Sequence, residues 1–200
     1  VRSSAASDVY KRQLKSSTAS NPQCEYARKL FLFSYYCYGI SFIDMAMLTA
    51  AHIKQMEDGD YIVYKRQKIK RQKGVKPISI KITPAIRQLI GSLQAASPTV
   101  DDFLLPIVTR SGYTGERLYM HIRTRYSKYQ KYLRLLAEEL GIDFHLTSYV
   151  SRHTAAMTLQ RNNIPREVIS QMLGHADLET TNIYLDSFDN GVINEAAKVL

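Results

Sequence analysis

Two apolar-periodic stretches in the last third of the chain, each with its own start and stop signals, do most to limit what it can fold into. The first opens at Thr147-Ser148, either of which can serve as an N-cap, and carries Arg152 within its first two turns. A cation there sits near orphan N–H groups and a helix dipole that also favour an anion. The second runs from Pro165, a favoured first-turn residue, through Val168, Ile169, Met172 and Leu173, and Gly174 stands where a helix stops. His175 follows that stop directly. A short polar segment then leads into Thr180 to Leu185, which places Tyr184 nine positions after the histidine. Taken singly, a tyrosine at a helix end is usually packing or surface, and a histidine after glycine is usually a turn residue.

Charge supplies the next constraint. The chain carries 27 Lys and Arg against 18 Asp and Glu, a formal charge of +9, which favours a polyanionic partner. Its 14 tyrosines add hydroxyls and rings of the kind that line phosphate backbones. Two hundred residues at 45% hydrophobic and 22% charged suit one domain with a real core and exclude a disordered chain. Cys24 and Cys37 lack metal-ligand spacing and fall in or beside an apolar-periodic helix, so they read as reduced, buried thiols. No metal and no cofactor is expected. The longest apolar run, Leu30 to Ile43, is interrupted by Ser34, Gly39 and Ser41 and is too short for a membrane span, and no secretory signal precedes it. The expectation is a cytoplasmic protein with no membrane partner.

Residues 1–13 resemble the translation of a sequencing-library adapter and are set aside as a non-native segment. On that reading the coding sequence starts in mid-gene and whatever preceded residue 14 is missing. Residues 14–23 are Ser-rich and read as linker, leaving 24–200 as one domain. Spacing predicts a helix from Glu25 to about Tyr38 on Tyr26, Leu30, Phe33 and Cys37, a break at Gly39, and a short helix from Ser41 through Asp44 to Leu48. Asp44 is expected semi-buried and satisfied by hydrogen bonds. Asp60 to Gln67 and Pro77 to Ile82 read as two strands of a hairpin whose connection is rich in Lys and Arg. Pro84 to Ala96 is an amphipathic helix, and Asp101 to Ile107 is a short apolar piece. Glu116 to Leu140 is a long helix with Tyr119, Ile122, Tyr126, Tyr129, Leu133 and Leu136 on its core side. Its basic side, with Arg123, Arg125, Lys128 and Lys131, is either solvated surface or DNA-facing. Val192 to Leu200 is a terminal helix with Ile193, Ala196, Ala197 and Leu200 as its stripe. The fold class is mixed, mainly α with a small antiparallel β-hairpin or sheet.

An Arg152-His153-Thr154 near a helix start, a Leu173-Gly174-His175 and a Tyr184 nine residues on together resemble the C-terminal signature of tyrosine recombinases, also called phage integrases. The wording Leu146-Thr147-Ser148-Tyr149-Val150-Ser151-Arg152-His153-Thr154, followed by Ile183-Tyr184-Leu185-Asp186-Ser187-Phe188, is similar to integrases of Bacteroides-type mobile elements. The resemblance runs from about residue 22 to the end, and it implies that an N-terminal DNA-binding domain is missing. It implies the tyrosine recombinase catalytic-domain fold and site-specific recombination that integrates or excises a mobile element, by cleavage and rejoining of double-stranded DNA through a 3′-phosphotyrosyl link. It assigns Tyr184 as nucleophile, Arg152 and His175 to the phosphate, and Lys68 on the hairpin as the acid for the leaving 5′ oxygen, with Lys70 as the alternative lysine. Lys65, Arg66, Lys70, Arg71, Arg123 and Arg125 are the DNA-binding candidates. It further implies a tetramer on DNA held through the helix 191–200, in a bacterial cytoplasm and on the nucleoid when bound.

The chain departs from the family pattern in three places, one being Ile69, which replaces the Thr usually next to the hairpin lysine. Tyr149 stands where the family has a histidine, and His153 is expected as a structural histidine hydrogen-bonded in the core. The family's first phosphate-clamping arginine is absent, Ser41 and Tyr38 occupying its two usual places. Either another basic residue, with Arg66 and Arg71 among the candidates, reaches the phosphate, or activity is reduced or lost. The alternatives are a catalytically impaired DNA-binding fragment, a type IB topoisomerase, and a helix-turn-helix regulator using Pro165 to Leu173 as recognition helix.

Overall fold

The computed structural model describes residues 13–69 and 75–174. In chain order its elements are α1 (Pro22–Tyr36), α2 (Phe42–Ala46), a 3-10 turn (Ala50–His52), β1 (Ile53–Met56), β2 (Gly59–Tyr64), β3 (Ile78–Lys81), α3 (Pro84–Ala96), α4 (Gly115–Glu139), α5 (Ser148–Arg161) and α6 (Arg166–Leu173). The mixed, mainly helical class with a small antiparallel sheet holds.

Helix α1 begins where the Asn21 side chain accepts the Gln23 N–H at 2.8 Å and Pro22 fills the first turn, so it starts earlier than the apolar spacing alone indicates. It buries Leu30, Phe31, Leu32, Phe33 and Ser34 in succession. A helix apolar on nearly every side belongs inside, and α3, α4 and α5 all pack on it. The Ser-rich segment before it is tied down at several points. Leu14 is fully buried, its carbonyl accepts from Arg28 Nη1 at 2.5 Å, and the Ser20 N–H donates to Glu139 Oε1 at 2.7 Å.

The expected hairpin is β2 and β3, paired antiparallel with Tyr61 opposite Lys81 and Ile62 opposite Ile80. Its inner face carries Ile62, Tyr64, Ile78 and Ile80, all buried. A third strand, β1, pairs with β2 on the other side. Ile53-Lys54-Gln55-Met56 has no apolar alternation, because three of its four residues are exposed on an edge. Strand β2 ends at Tyr64 rather than Gln67, whose N–H leaves the ladder to donate to Asp44 Oδ1 at 2.7 Å.

Along α4 the buried stripe is Ile122, Tyr129, Leu133 and Leu136. Tyr119 and Tyr126 do not belong to the core, being 58% and 37% exposed. They lie on the rim of that stripe and face a concavity described below. One continuous apolar cluster spans α1 to α4 and the sheet, and a smaller one of Ala156, Ile169 and Leu173 joins α5 to α6. Cys24 and Cys37 are both buried and free. Among the described residues no helix is long and apolar enough to cross a membrane.

Candidate functional site

Helix α5 meets α1 through small groups. The Ser34 and Ser151 hydroxyls lie 2.8 Å apart, and Gly39, in the left-handed region at φ +72°, approaches so closely that a Cβ there would lie 2.6 Å from the Cβ of Arg152. Only glycine permits that contact and that backbone angle together. The start of α5 is set by α4: Gln130 Oε1 accepts the Ser148 N–H at 3.0 Å, and Tyr126 and Ser148 hydroxyls lie 3.1 Å apart. Thr147 occupies the N-cap position but makes no side-chain cap bond, so a neighbouring helix supplies the acceptor that the first turn needs.

This docking buries Arg152 to 7% exposure. Its Nη1 donates to the Gly39 carbonyl at 3.1 Å and its Nη2 to the Leu173 carbonyl at 2.6 Å. The next carbonyl, that of Gly174, accepts from Arg66 Nη1 at 3.1 Å. Two arginines thus bind consecutive carbonyls at the end of α6, where unpaired carbonyls and the negative end of the dipole favour cations. Gly174 closes the helix at φ +63°, as its position predicts, and a Cβ there would meet Ile78 Cγ1 at 2.9 Å and Arg66 Cδ at 3.1 Å. The chain leaves this point towards His175.

Asp44 ties the other side together. It is 3% exposed; its Oδ1 accepts the Gln67 N–H, and its Oδ2 accepts the Ser41 hydroxyl at 2.6 Å and lies 4.0 Å from Arg66 Nε. The expectation of a hydrogen-bonded, buried Asp44 is met. Ser41 also accepts the Asp44 N–H at 3.2 Å, so the residue standing in the first-arginine position is spent as a helix cap. Beside these groups the buried Tyr64 hydroxyl has its pKa pushed up, first by burial and then by Asp44, with Arg152 and Arg66 opposing.

A concavity of about 440 Å³ opens between α2, α4 and α5, walled by Ser41, Phe42, Tyr119, Arg123, Tyr149 and Arg152 among others. The structure therefore brings Arg152, Tyr149 and Arg123 together, with Tyr149 58% exposed. Lys65 and Lys68 are exposed on the connection after β2, Lys68 within a turn in which the Ile69 N–H donates to the Arg66 carbonyl at 3.1 Å. Arg125 does not join this group. It lies on the other flank of α4, where its Nε donates to the Ile107 carbonyl at 3.1 Å. His153 is exposed on α5 rather than in the core, because Arg152 and Ser151 occupy the face turned inward. Lys70, Arg71, His175, Tyr184 and the helix 191–200 lie outside the described residues. The parts that sequence reasoning missed are the trans cap from Gln130 and the pairing of Arg66 with Gly174; no local pattern announces either.

The fold, a helical domain with a three-stranded sheet, matches solved recombinase structures. The chain superposes on XerA recombinase with a TM-score of 0.63 at 21% identity, covering 98% of this chain and 64% of that one. The XerH site-specific recombinase bound to its difH substrate gives 0.65 at 18%, over 98% and 53%, and the Tn1549 transposon integrase in complex with transposon right-end DNA gives 0.63 at 10%, over 100% and 65%. The phage integrase family matches residues 6–190, and the chain belongs to that family. Among curated relatives, tyrosine recombinase XerD of Halalkalibacterium halodurans is 43% identical over 54 residues, 27% of this chain and 18% of the relative. Tyrosine recombinase XerC of Rhodospirillum centenum is 31% identical over 114 residues, 57% of this chain and 31% of the relative. The matched regions span less than a third of each relative's length.

Proposed function

We propose that this chain is the catalytic domain of a site-specific recombinase that integrates or excises a Bacteroides-type mobile element, with Arg66 standing in for the absent first arginine. The observation that carries the reading is the convergence of Arg66 and Arg152 on the consecutive carbonyls of Gly174 and Leu173, where the chain turns into His175. Breaking a phosphodiester without a high-energy cofactor requires a nucleophile, cations for the crowded phosphorane and an acid for the leaving oxygen. Tyr184 attacks phosphorus through its phenolic oxygen, the bond to the 5′ oxygen breaks, and Lys68 gives that oxygen its proton. The proton of Tyr184 passes to water or to another group, since Tyr149 as an unperturbed phenol, pKa ~10, is a poor base at neutral pH. Arg152 and Arg66 take the non-bridging oxygens with planar forks, and His175 adds a hydrogen bond. Arg66 Nε is buried 4.0 Å from Asp44 Oδ2 and has no hydrogen-bond partner among the described residues. Asp44 positions both neighbours, holding Arg66 by charge and the backbone just before Lys68 by the Gln67 N–H.

The stored phosphotyrosyl bond lets a second strand's 5′-hydroxyl reverse the step without ATP. On this reading the protein works in the bacterial cytoplasm, on the nucleoid when bound, as a tetramer joined through the helix 191–200. The test is covalent capture. Duplexes selected by the protein's own binding from a random pool are nicked to make suicide substrates, incubated with the protein and run on a denaturing gel. A shifted band that Tyr184→Phe abolishes while binding persists supports the reading. Arg66→Ala is expected to slow capture about 100-fold or more, the scale for removing one charge-stabilising donor. Binding without capture, even after Ser41→Arg, would leave an impaired DNA-binding fragment, a reading that the spent Ser41 side chain favours.

A further inference from the structure

The groups assigned above lie on one flank of α4, and the other flank carries a second set of cations. Arg117, His121, Arg125 and Lys128 recur at helical spacing, a stripe roughly 16 Å long at about 1.5 Å per residue. Arg110 joins them from the preceding loop, since Arg125, Arg110 and Lys128 all bear on His121, whose pKa is lowered first by burial and then by these charges. The Thr109 N–H donates to His121 Nε2 at 3.2 Å, as a neutral imidazole allows. None of the four Arg and Lys residues has a carboxylate at ion-pair distance among the described residues. Like charges gathered without counter-charge repel one another, and a polyanion relieves that repulsion.

Aromatic rings interleave with these cations. Arg117 Cζ lies 5.2 Å from the Tyr113 ring centre, Tyr113 stands edge-on to His121 at 5.5 Å, and Arg125 Cζ lies 6.0 Å from the Tyr26 ring. Beside Arg125 and Lys128 opens a cavity of about 400 Å³ with Tyr26, Tyr129, Tyr132 and Ile107 in its walls. The Tyr129 hydroxyl is buried there without a hydrogen-bond partner. Cations alone would serve any polyanion. A duplex, however, offers only phosphates and base edges, its ring faces being covered by stacking, whereas an unpaired base can place a face against tyrosine. An acidic protein segment would use the cations and leave the ring-walled cavity empty.

We propose that this flank of α4 binds single-stranded nucleic acid, with phosphates along the Arg117 to Lys128 stripe and an unpaired base in the tyrosine-walled cavity. The inference does not depend on the strand-cleavage reading. The experiment is fluorescence anisotropy with a labelled twelve-residue oligothymidylate, an abasic strand of equal length, a duplex and a glutamate polymer as competitor. The protein binds the oligothymidylate about 10-fold or more tightly than the abasic strand, within the range for stacking one base. The double variant Arg117→Glu, Lys128→Glu changes exposed residues. It weakens single-strand binding at least about 10-fold and lowers the salt slope by about 1.4, two contacts at ~0.7 each, with a smaller loss for duplex. Tyr132→Ala removes the preference over the abasic strand and leaves the salt slope unchanged. Equal affinity for thymidylate and abasic strands overturns the proposal, as does an equal loss for duplex and single strand. Displacement by the glutamate polymer at lower charge concentration than by thymidylate overturns it in favour of an acidic protein partner.

Discussion

The main core and the α5–α6 corner are held by different forces. Around α1, apolar side chains such as Leu30, Phe33, Leu93 and Leu133 are completely buried, and each contributes about 1.5–3 kcal/mol by leaving water. At the corner only Ala156, Ile169 and Leu173 form a buried cluster, and the end of α6 is held by guanidinium groups on the carbonyls of Leu173 and Gly174. The fold therefore rests on apolar burial, while the corner rests on the two cations proposed above to take the phosphate. A ligand that recruits those cations also acts on what positions α6.

Substitutions that strike one region or the other test this division. Gly39→Ala hits the seam between them and is expected to cost roughly 3 kcal/mol, a steric clash with Arg152 plus a left-handed backbone angle. Urea denaturation measures it, and a loss under about 1 kcal/mol would mean that α5 can step away from α1 cheaply. Leu133→Ala follows, at about 3 kcal/mol of global stability. Ile169→Ala should cost less, about 2 kcal/mol, and native-state hydrogen exchange should show it lost first from 166–173. Equal loss of protection throughout the domain would erase the distinction. Arg66→Ala comes next, at about 1.5 kcal/mol, the lower end for one bond to a charged group, felt in local opening of the α6 end and not in global unfolding. Limited proteolysis after α6 should quicken while the global denaturation midpoint barely moves.

The smallest effect concerns pH. His121 has its pKa lowered by burial and then by Arg125, Arg110 and Lys128, so the unfolded chain takes up a proton that the folded one resists. Stability then falls as pH drops below the ordinary imidazole value of about 6.5 and levels off once the folded group also protonates. His121→Gln should flatten that slope in thermal melts between pH 7.5 and 5. An unchanged slope would assign it to other groups.

Periodicity and punctuation made much of this legible. The stop at Gly174, the hairpin, the buried Asp44 and the helices α1, α3, α4 and α5 all follow from residue patterns with local causes. What escaped has non-local causes. Gln67 looks like a strand residue until Asp44, twenty-three positions earlier, takes its N–H. Leu14 reads as linker because its partners are distant in sequence, and β1 hides because an edge strand need not alternate. Arg123 and Arg125 look equivalent on a basic helix, yet a two-residue step sends them to opposite flanks of a stripe that only packing defines. Arg66 showed as one basic residue among several, since its carbonyl partner lies 108 positions away.

That last separation also has a consequence in time. Arg66 emerges from the ribosome long before Gly174, and at about 5–20 residues per second the intervening 108 positions take roughly 5 to 20 s to synthesise. Throughout that interval Arg66 has no Gly174 carbonyl to bind, and Arg152, made late in it, waits a further 21 positions for Leu173. The main core can begin to form on the earlier helices, but the two guanidinium groups come to rest only once Leu173 and Gly174 have been made. An interrupted nascent chain would carry the basic surface without the ordered pair of cations.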